Sequence, residues 1–414
     1  LRRSPVWNAS SMIPPRSTTE TPLDPHIRGG ELKGLIRARD RELVNLQLAF
    51  GEFAAGAAEA LNAAHNQATA VPAPNSLTGR NTGLIGTDLL NFTGQTITNP
   101  AGEVVKNFRI DFNAGTIVDE LGVSSAFANS IGDLTTQLNT RLGADGTVSF
   151  ANGVMTLGAD LAGNGVVITD DPTSPAARAG RGFSHTFGLN DLVTKGKPIN
   201  YATGLSATDQ HGFTAGQTLK FALRDNDGAI IRTIDFQITA GMTTIGDIRT
   251  AMNGVLTGYG QAALDANGRM AITPINNSVG RIDVLQDTTV RTGTALSLSD
   301  IFGLGETLPA QRAVNLQVNG AIRANPSLLG SAQADLFVNG ASVLAGVRVL
   351  APGDGRGALA VEAAGTTQRT FYDAGGLTGQ VTSITDYAAR LAGHAGVRAE
   401  ALEAARAAAE SVRE

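Results

Sequence analysis

The chain has 414 residues, a formal net charge of −5, 42% hydrophobic residues and no cysteine. A chain of this length is expected to form two or more domains, and its hydrophobic content is sufficient for ordinary cores. The scattered charges exclude a basic nucleic-acid surface, the lack of cysteine excludes disulfides and thiol chemistry, and no apolar run reaches the roughly 18 residues of a membrane helix.

The first 29 residues are rich in Pro, Ser, Thr and Arg and show no apolar period. This composition predicts a poorly ordered tail or the remnant of a domain. The chain begins with Leu rather than Met, and no signal peptide is visible. We therefore expect it to be a fragment of a longer protein.

From residue 30 the pattern becomes helical and continues to the Pro-rich stretch at residues 71–74. Large apolar residues recur there at alternating spacings of three and four, which places them on one helix face. Residues 381–412 keep the same spacing, with alanine at many positions and Arg398 as the only polar member. Because an alanine-rich face buries little apolar area, each helix needs neighbours.

We predict that residues 30–80 and 310–414 form one composite rod domain of long helices and some strands. Its helix-packing seam is predicted to contain Leu43, Leu46, Phe50, Phe53, Ile384, Leu391 and Leu402.

The middle of the chain contains an internal repeat. Residues 131–139 (IGDLTTQLN) recur 114 positions later as residues 245–253 (IGDIRTAMN). Two further blocks, around Asn152-Gly153 and around residues 183–189, recur 115 positions later. A strand-like match at residues 110–112 recurs at an offset of 124, which implies about ten extra residues in the first copy, before its helix. The repeat predicts two copies of one supersecondary unit.

Each copy is predicted to be a ββαββ-like module. Alternating apolar residues indicate strands, Ser130 and Thr244 are candidate helix N-caps, and Asn-Gly pairs indicate hairpins. The first module is predicted at residues 81–200 and the second at residues 201–309. The predicted fold class is therefore α+β and multidomain, with the two modules inserted in the composite helical domain.

Residues 313–359 show further strand pattern. Asn319-Gly320 and Asn339-Gly340 are predicted to be hairpin turns, and residues 352–357 a tight loop before the last helical region.

Residues with catalytic or metal-binding potential do not form a recognisable site. The histidines are dispersed, at His26, His65, His185, His211 and His394, without metal-ligand spacing. Asp225-Asn-Asp-Gly resembles the start of a calcium loop, but the twelfth position holds Phe236 instead of Glu, which favours a simple turn. Residues 353–357 (GDGRG) lack the lysine of a phosphate-binding loop. We predict no catalytic, cofactor-binding or metal residues.

Three segments resemble the hook-associated protein 1 family of bacterial flagella. They are residues 29–40 (GGELKGLIRARD) with residues 61–66 (LNAAHN), residues 316–329, and residues 352–360 (PGDGRGALA) followed by Asp386-Tyr387. The repeated modules are similar to the hook motif of flagellins, filament caps and hook-associated proteins. The resemblance covers residues 29–414, but the family's extreme terminal helices have no counterpart here.

The resemblance implies a structural subunit that forms a ring between hook and filament and is not an enzyme. Its implied partners are copies of itself, the hook protein, the second junction protein and an export chaperone, without nucleic acid or membrane. Its implied location is extracellular, on the flagellum, after export through the flagellar secretion apparatus. A filament cap or flagellin-like protein, or a secreted β-rich adhesion module, are the alternatives.

Overall fold

A computed structural model describes residues 11–12, 21–22, 27, 30–99, 106–338 and 341–411. It contains helices and antiparallel sheets, and the predicted α+β class is confirmed. Most of the predicted tail, residues 1–29, lies outside the described residues. Within it, two-residue strands at Ser11–Met12 and Thr21–Pro22 pair with each other.

Two helices are much longer than the rest, and both lie in the predicted composite domain. A π-helical turn, Ala38–Glu42, joins the first helix to the second. The helices are α1 (Gly30–Arg37), α2 (Leu43–Asn66), α3 (Ile131–Leu142), α4 (Phe183–Phe187), α5 (Ile245–Val255), α6 (Leu298–Phe302), α7 (Thr307–Ala310), α8 (Gly320–Ala324), α9 (Arg356–Ala363) and α10 (Ile384–Ser411).

The strands are short, as the glycine-rich sequence suggests. They are β1 (Ser11–Met12), β2 (Thr21–Pro22), β3 (Ser76–Thr78), β4 (Gln95–Asn99), β5 (Phe108–Asp111), β6 (Thr116–Asp119), β7 (Ser124–Ala126), β8 (Gly146–Ala151), β9 (Val154–Ala159), β10 (Val167–Asp170), β11 (Val193–Thr194), β12 (Thr218–Arg224), β13 (Ile230–Gln237), β14 (Gly260–Leu264), β15 (Met270–Pro274), β16 (Arg281–Asp287), β17 (Gln317–Val318), β18 (Phe337–Val338), β19 (Ala341–Ser342), β20 (Arg369–Phe371) and β21 (Gln380–Thr382).

The sheets of module 1 (residues 81–200) and module 2 (residues 201–309) have three strands in the same order. The order is β10-β4-β5-β6-β7 in module 1 and, read in the same direction, β16-β12-β13 in module 2. Each module also has one helix of more than ten residues, α3 or α5, followed by a hairpin, β8–β9 or β14–β15. A third strand and a short helix follow each hairpin, which the ββαββ prediction omitted. The ten extra residues predicted in module 1 fall in the region of the β6–β7 hairpin, between β5 and α3.

The same side-chain contact joins helix to hairpin in both modules. In module 1, the Asn139 side chain donates to the Val148 carbonyl at 2.7 Å and accepts from the Val148 amide at 2.8 Å. In module 2, Asn253 makes the same two bonds with Ala262, at 3.0 and 2.6 Å. The two asparagines are 114 positions apart, the offset of the sequence repeat.

The hairpins after these helices form as predicted, but their turns differ. Asn152 and Gly153 both have positive φ, 53° and 76°, as a two-residue type I′ turn requires. In module 2 the loop spans residues 265–269, and only Gly268 has positive φ, at 72°. The Asn-Gly pair therefore predicted the place of each hairpin but not its loop length.

Each module has a buried arginine at one of its loops, and one of the two, Arg291, joins the modules. Arg178 of module 1 and Arg291 of module 2 each donate to backbone carbonyls in a loop of their own module. The acceptors are Leu89 and Leu90 for Arg178 and Gln210 and His211 for Arg291. Arg291 also crosses to module 1, where the two oxygens of Asp88 accept at 2.8 and 2.7 Å. One hydrophobic cluster, from Leu77 to Leu304, extends through both modules.

The segment after module 2 differs from the prediction at one turn. Asn319 does not form a hairpin turn but caps α8, because its side chain accepts from the Ala321 amide at 3.0 Å. Asn-Gly is compatible with a helix start because Asn is also a favoured N-cap. Residues 339–340 lie outside the described residues, although β18 and β19 on either side pair antiparallel.

Candidate assembly site

Helices α2 and α10 pack together, although more than 300 residues separate their starts. They run antiparallel, because Tyr387 stacks near Phe53 while Arg398, later in α10, donates to Glu42, before α2. Phe371 of β20 completes the contact, with its ring centroid 4.1 Å from that of Tyr387. Burial raises the pKa of Tyr387 to about 12. The contact between the helices is therefore a small aromatic core.

Four of the seven predicted seam residues contribute to this contact. Leu391 is buried, and Leu46, Phe53 and Ile384 are half-buried against the same cluster. The predicted burial of the other three is wrong. Leu43 is 55% exposed, Phe50 47% and Leu402 50%.

The reason lies in the crowding around α2. This helix also contacts α7 and α9, so its most buried positions are occupied by small residues such as Ala49. At Gly51, an added Cβ would lie 2.0 Å from the Pro309 carbonyl oxygen. Neighbouring backbone thus approaches the glycine and alanine side, and the bulkier Phe50 faces solvent. Leu402 is exposed because residues 399–404 of α10 are all exposed, beyond the Arg398–Glu42 contact.

The polar end of α2 binds module 1. The Asn62 side chain donates to the Val193 carbonyl and accepts from the Val193 amide, both at 2.8 Å. One turn later, Asn66 donates to Asp191 at 2.8 Å and accepts from the Asn190 amide at 2.9 Å. These asparagines belong to the LNAAHN segment on which the resemblance depends. Their role in the structure is to fix α2 to the chain that leaves module 1.

His65, between them, bridges two loops. One ring nitrogen lies 2.6 Å from the Asn190 carbonyl, and the other accepts from the Gly330 amide at 2.8 Å. A ring that donates on one side and accepts on the other is neutral. Burial lowers the pKa of His65, which favours this neutral form.

A buried charge cluster lies one turn earlier. Glu59 of α2 accepts from Arg181 of module 1 at 2.9 Å and lies 3.5 Å from His185. Burial tends to raise the pKa of Glu59, but the charges of Arg181, His185 and Arg80 outweigh it and hold the pKa well below its usual range. Burial lowers the pKa of His185 to about 4. The cluster therefore contains a carboxylate and a neutral histidine at pH 7.

A second buried ion pair fixes the other side of α2. Arg312 donates to Glu52 at 2.6 Å, and both side chains are almost fully buried. The second Glu52 oxygen accepts from the Tyr372 amide at 2.9 Å. Glu52 therefore ties α2 both to the segment after module 2 and to the chain leading into α10.

Helices α1, α2 and α10 carry large apolar side chains that are exposed. We call this set the helix strip. Its members are Leu32 and Leu35 of α1, Leu43 and Phe50 of α2, and Val397 and Leu402 of α10. Exposed apolar patches of this kind mark interaction surfaces in many proteins.

The histidines and acidic turns that the structure describes serve in local contacts. Among the described residues, no group of His, Asp and Glu is placed to bind a metal. Asp225 accepts from the amides of Asp227 and Ala229 at 2.9 Å and closes the β12–β13 hairpin. His185 is buried beside Glu59, with which it shares the charge cluster.

The Arg291–Asp88 pair that joins the modules was not predicted from the sequence. A signal for the loop that contains Asp88 was present, because Thr82-Gly83-Leu84 with Asp88 recurs 121 positions later as Thr203-Gly204-Leu205 with Asp209. The two segments form the same contact in the structure: the Thr82 and Thr203 hydroxyls accept from the Leu84 and Leu205 amides, at 3.2 and 3.0 Å.

Comparison with known proteins does not assign the chain to a family. No family model matches it, and no curated protein matches it. Within the described ranges, none of the helices is both long enough and apolar enough to cross a membrane.

Proposed function

We propose that the chain is a structural subunit of the bacterial flagellum that joins the hook to the filament, and that it is not an enzyme. One observation carries this proposal: the helices α2 and α10 come from distant parts of the chain, pack together, and enclose two β-rich modules in the sequence between them. This is the order of parts that the resemblance to hook-associated protein 1 implies.

Modules 1 and 2 are, in this proposal, two copies of one unit. The matched asparagine contacts, the matched N-caps and the matched threonine loops support it. Residues 30–80 and 310–414 then form the composite rod domain. The buried charges around α2 give this domain a fixed attachment to the modules.

The helix strip is the proposed contact surface for neighbouring subunits. The aromatic core between α2 and α10 is small and leaves these apolar side chains exposed. A helix of a neighbouring subunit could cover them, as neighbouring units do in repeat proteins. The proposed partners are copies of this chain, the hook protein and the second junction protein, after export with a chaperone. The proposed location is the outside of the cell.

Deletion of the gene tests this function. Cells without the protein are expected to make hooks, to release unassembled flagellin and to lose motility. Phe50→Glu and Leu35→Glu on the helix strip should have the same effect, whereas Leu285→Glu on module 2, at a site about as exposed as Phe50, should keep motility. Motile cells after deletion would contradict the proposal, and complete hooks with a bound second junction protein would favour the filament-cap alternative.

A further inference from the structure

The two modules differ at one edge of their sheets. Strand β5 in module 1 lies between β4 and β6, whereas its counterpart in module 2, β13, pairs only with β12 among the residues that the structure describes. By the repeat offset, the residues of β5 that bind β6 correspond to residues 232–235 of β13. Strand β13 is eight residues long, and six of them are exposed. An open edge of this length is a template for another strand.

At three positions near this edge, the side chain in module 2 differs from its counterpart in module 1 in the same way. Where module 1 has polar residues, module 2 has exposed aliphatic ones. The pairs are Lys106 and Ile230, Asn107 and Ile231, and Arg141 and Val255. In module 1, the Lys106 side chain donates to the Arg141 and Leu142 carbonyls at the end of α3, and the Asn107 side chain donates to the Val343 carbonyl, outside the module. Arg141 donates to Asp119 of β6 and to Ser125 of β7, at 2.9 and 2.8 Å.

We propose that the open edge of β13 is a docking site for an extended strand from another protein, which pairs antiparallel as β6 does in module 1. The strand carries an aliphatic residue where β6 has Asp119, because Val255 replaces the arginine that binds this carboxylate. The proposal goes beyond the proposed function and rests on the equivalence of the two modules.

At this edge, the backbone of β13 would supply the affinity for a bound strand, and the neighbouring side chains would supply the specificity. Backbone hydrogen bonds to β13 attract any extended segment, and the side chains beside the edge select among segments. An acidic residue facing Val255 would lose water without gaining a partner, which is unfavourable. Ile230 and Ile231 instead favour aliphatic neighbours, by burial of apolar surface.

A peptide of residues 113–127 tests this selection, because it carries β6 and β7 without β5. It is titrated against the full chain in two forms, the native sequence and Asp119→Leu, with binding followed by fluorescence anisotropy. The leucine form is expected to bind about tenfold more tightly than the native form, a difference of one decade in Kd. In the Val255→Arg protein, which restores the arginine of module 1, the preference should reverse.

Two lysine variants provide the control. Ile231→Lys places a charge on the edge and should abolish binding of both peptides, while Ile275→Lys, at an exposed isoleucine outside β13, should leave binding unchanged. Unchanged melting temperatures establish that both variants fold. Failure of both peptides to bind, equal affinities for wild type, or no effect of Ile231→Lys would overturn the proposal. If the chain forms a dimer that Ile231→Lys disrupts, the strand bound at this edge would come from a second copy of the chain and not from another protein, which would also overturn the proposal. None of these results depends on flagellar assembly.

Discussion

The contact between the modules and the contact between the helices are built differently. The modules share one large hydrophobic cluster and a fully buried ion pair, Arg291 with Asp88. Among the described residues, the core at the helix pair contains five buried hydrophobic residues, including Phe371 and Tyr387, and large apolar side chains of the helices are exposed. The modules therefore bury the groups that join them, whereas the helices leave large apolar side chains in contact with solvent. The predictions below test this difference.

The largest effect is expected at the module contact. Arg291→Met leaves Asp88 buried without its partner, and breaking a buried pair in this way costs about 3–5 kcal/mol of unfolding free energy. Urea denaturation followed by circular dichroism measures the loss. Both modules should lose stability together, because the hydrophobic cluster is shared.

The double variant Asp88→Asn with Arg291→Met is the matched control. It removes both charges, while the asparagine oxygen can still accept from the Ile85 amide, as Asp88 does at 2.8 Å. Part of the lost stability should return, since no unpaired charge remains buried, while the Gln210 and His211 carbonyls still lack the donor that Arg291 supplied. A double variant no more stable than Arg291→Met would show that the ion pair is not the source of the effect.

The second prediction concerns the charge cluster between α2 and module 1. Because the pKa of His185 falls from 6.5 to about 4 in the native state, the unfolded chain binds the extra proton. This contribution to stability is present above pH 6.5 and is lost as the pH falls towards 4, by about 3 kcal/mol. His185→Gln should flatten the decline in unfolding free energy between pH 6.5 and 4. An unchanged slope in this variant would exclude His185 as the titrating group.

The third prediction compares two phenylalanines of α2. Phe53→Ala removes a half-buried ring that stacks on Tyr387 and should cost about 2 kcal/mol, less than for a fully buried ring. Phe50→Ala, at an exposed site, should change stability by about 0.5 kcal/mol or less. Hydrogen exchange should show the Phe53 effect mainly in α2 and α10. Equal losses for the two variants would contradict the small core described for the helix pair.

Periodic patterns predicted the elements well. The α2 and α10 helices, the repeat helices and the hairpins that follow α3 and α5 are indicated by local spacing, and the extra residues of module 1 by a change in offset. The packed face of α2 could not be predicted, because small residues occupy the crowded side and large apolar ones such as Phe50 lie outside. The Arg291–Asp88 pair was missed because residues 203 positions apart show no local pattern.

The smallest expected effect on stability concerns the N-caps of α3 and α5, which differ between the two modules. Thr244 accepts from the Asp247 amide, and the Asp247 carboxylate accepts in return from the Thr244 amide at 2.9 Å, which completes a capping box. In module 1, Ser130 accepts from Asp133, but the Asp133 carboxylate binds the Ala128 amide instead.

Loss of an N-cap costs about 1 kcal/mol. Thr244→Ala and Ser130→Ala should therefore each destabilise by about this amount. Asp247→Ala should add to the loss from Thr244→Ala less than its own single effect, because the two side chains form one reciprocal unit. Asp133→Ala and Ser130→Ala should be closer to additive, since the Asp133 carboxylate has a separate partner. Double-mutant cycles in urea measure both couplings, and a larger coupling in module 1 would contradict the difference between the two caps.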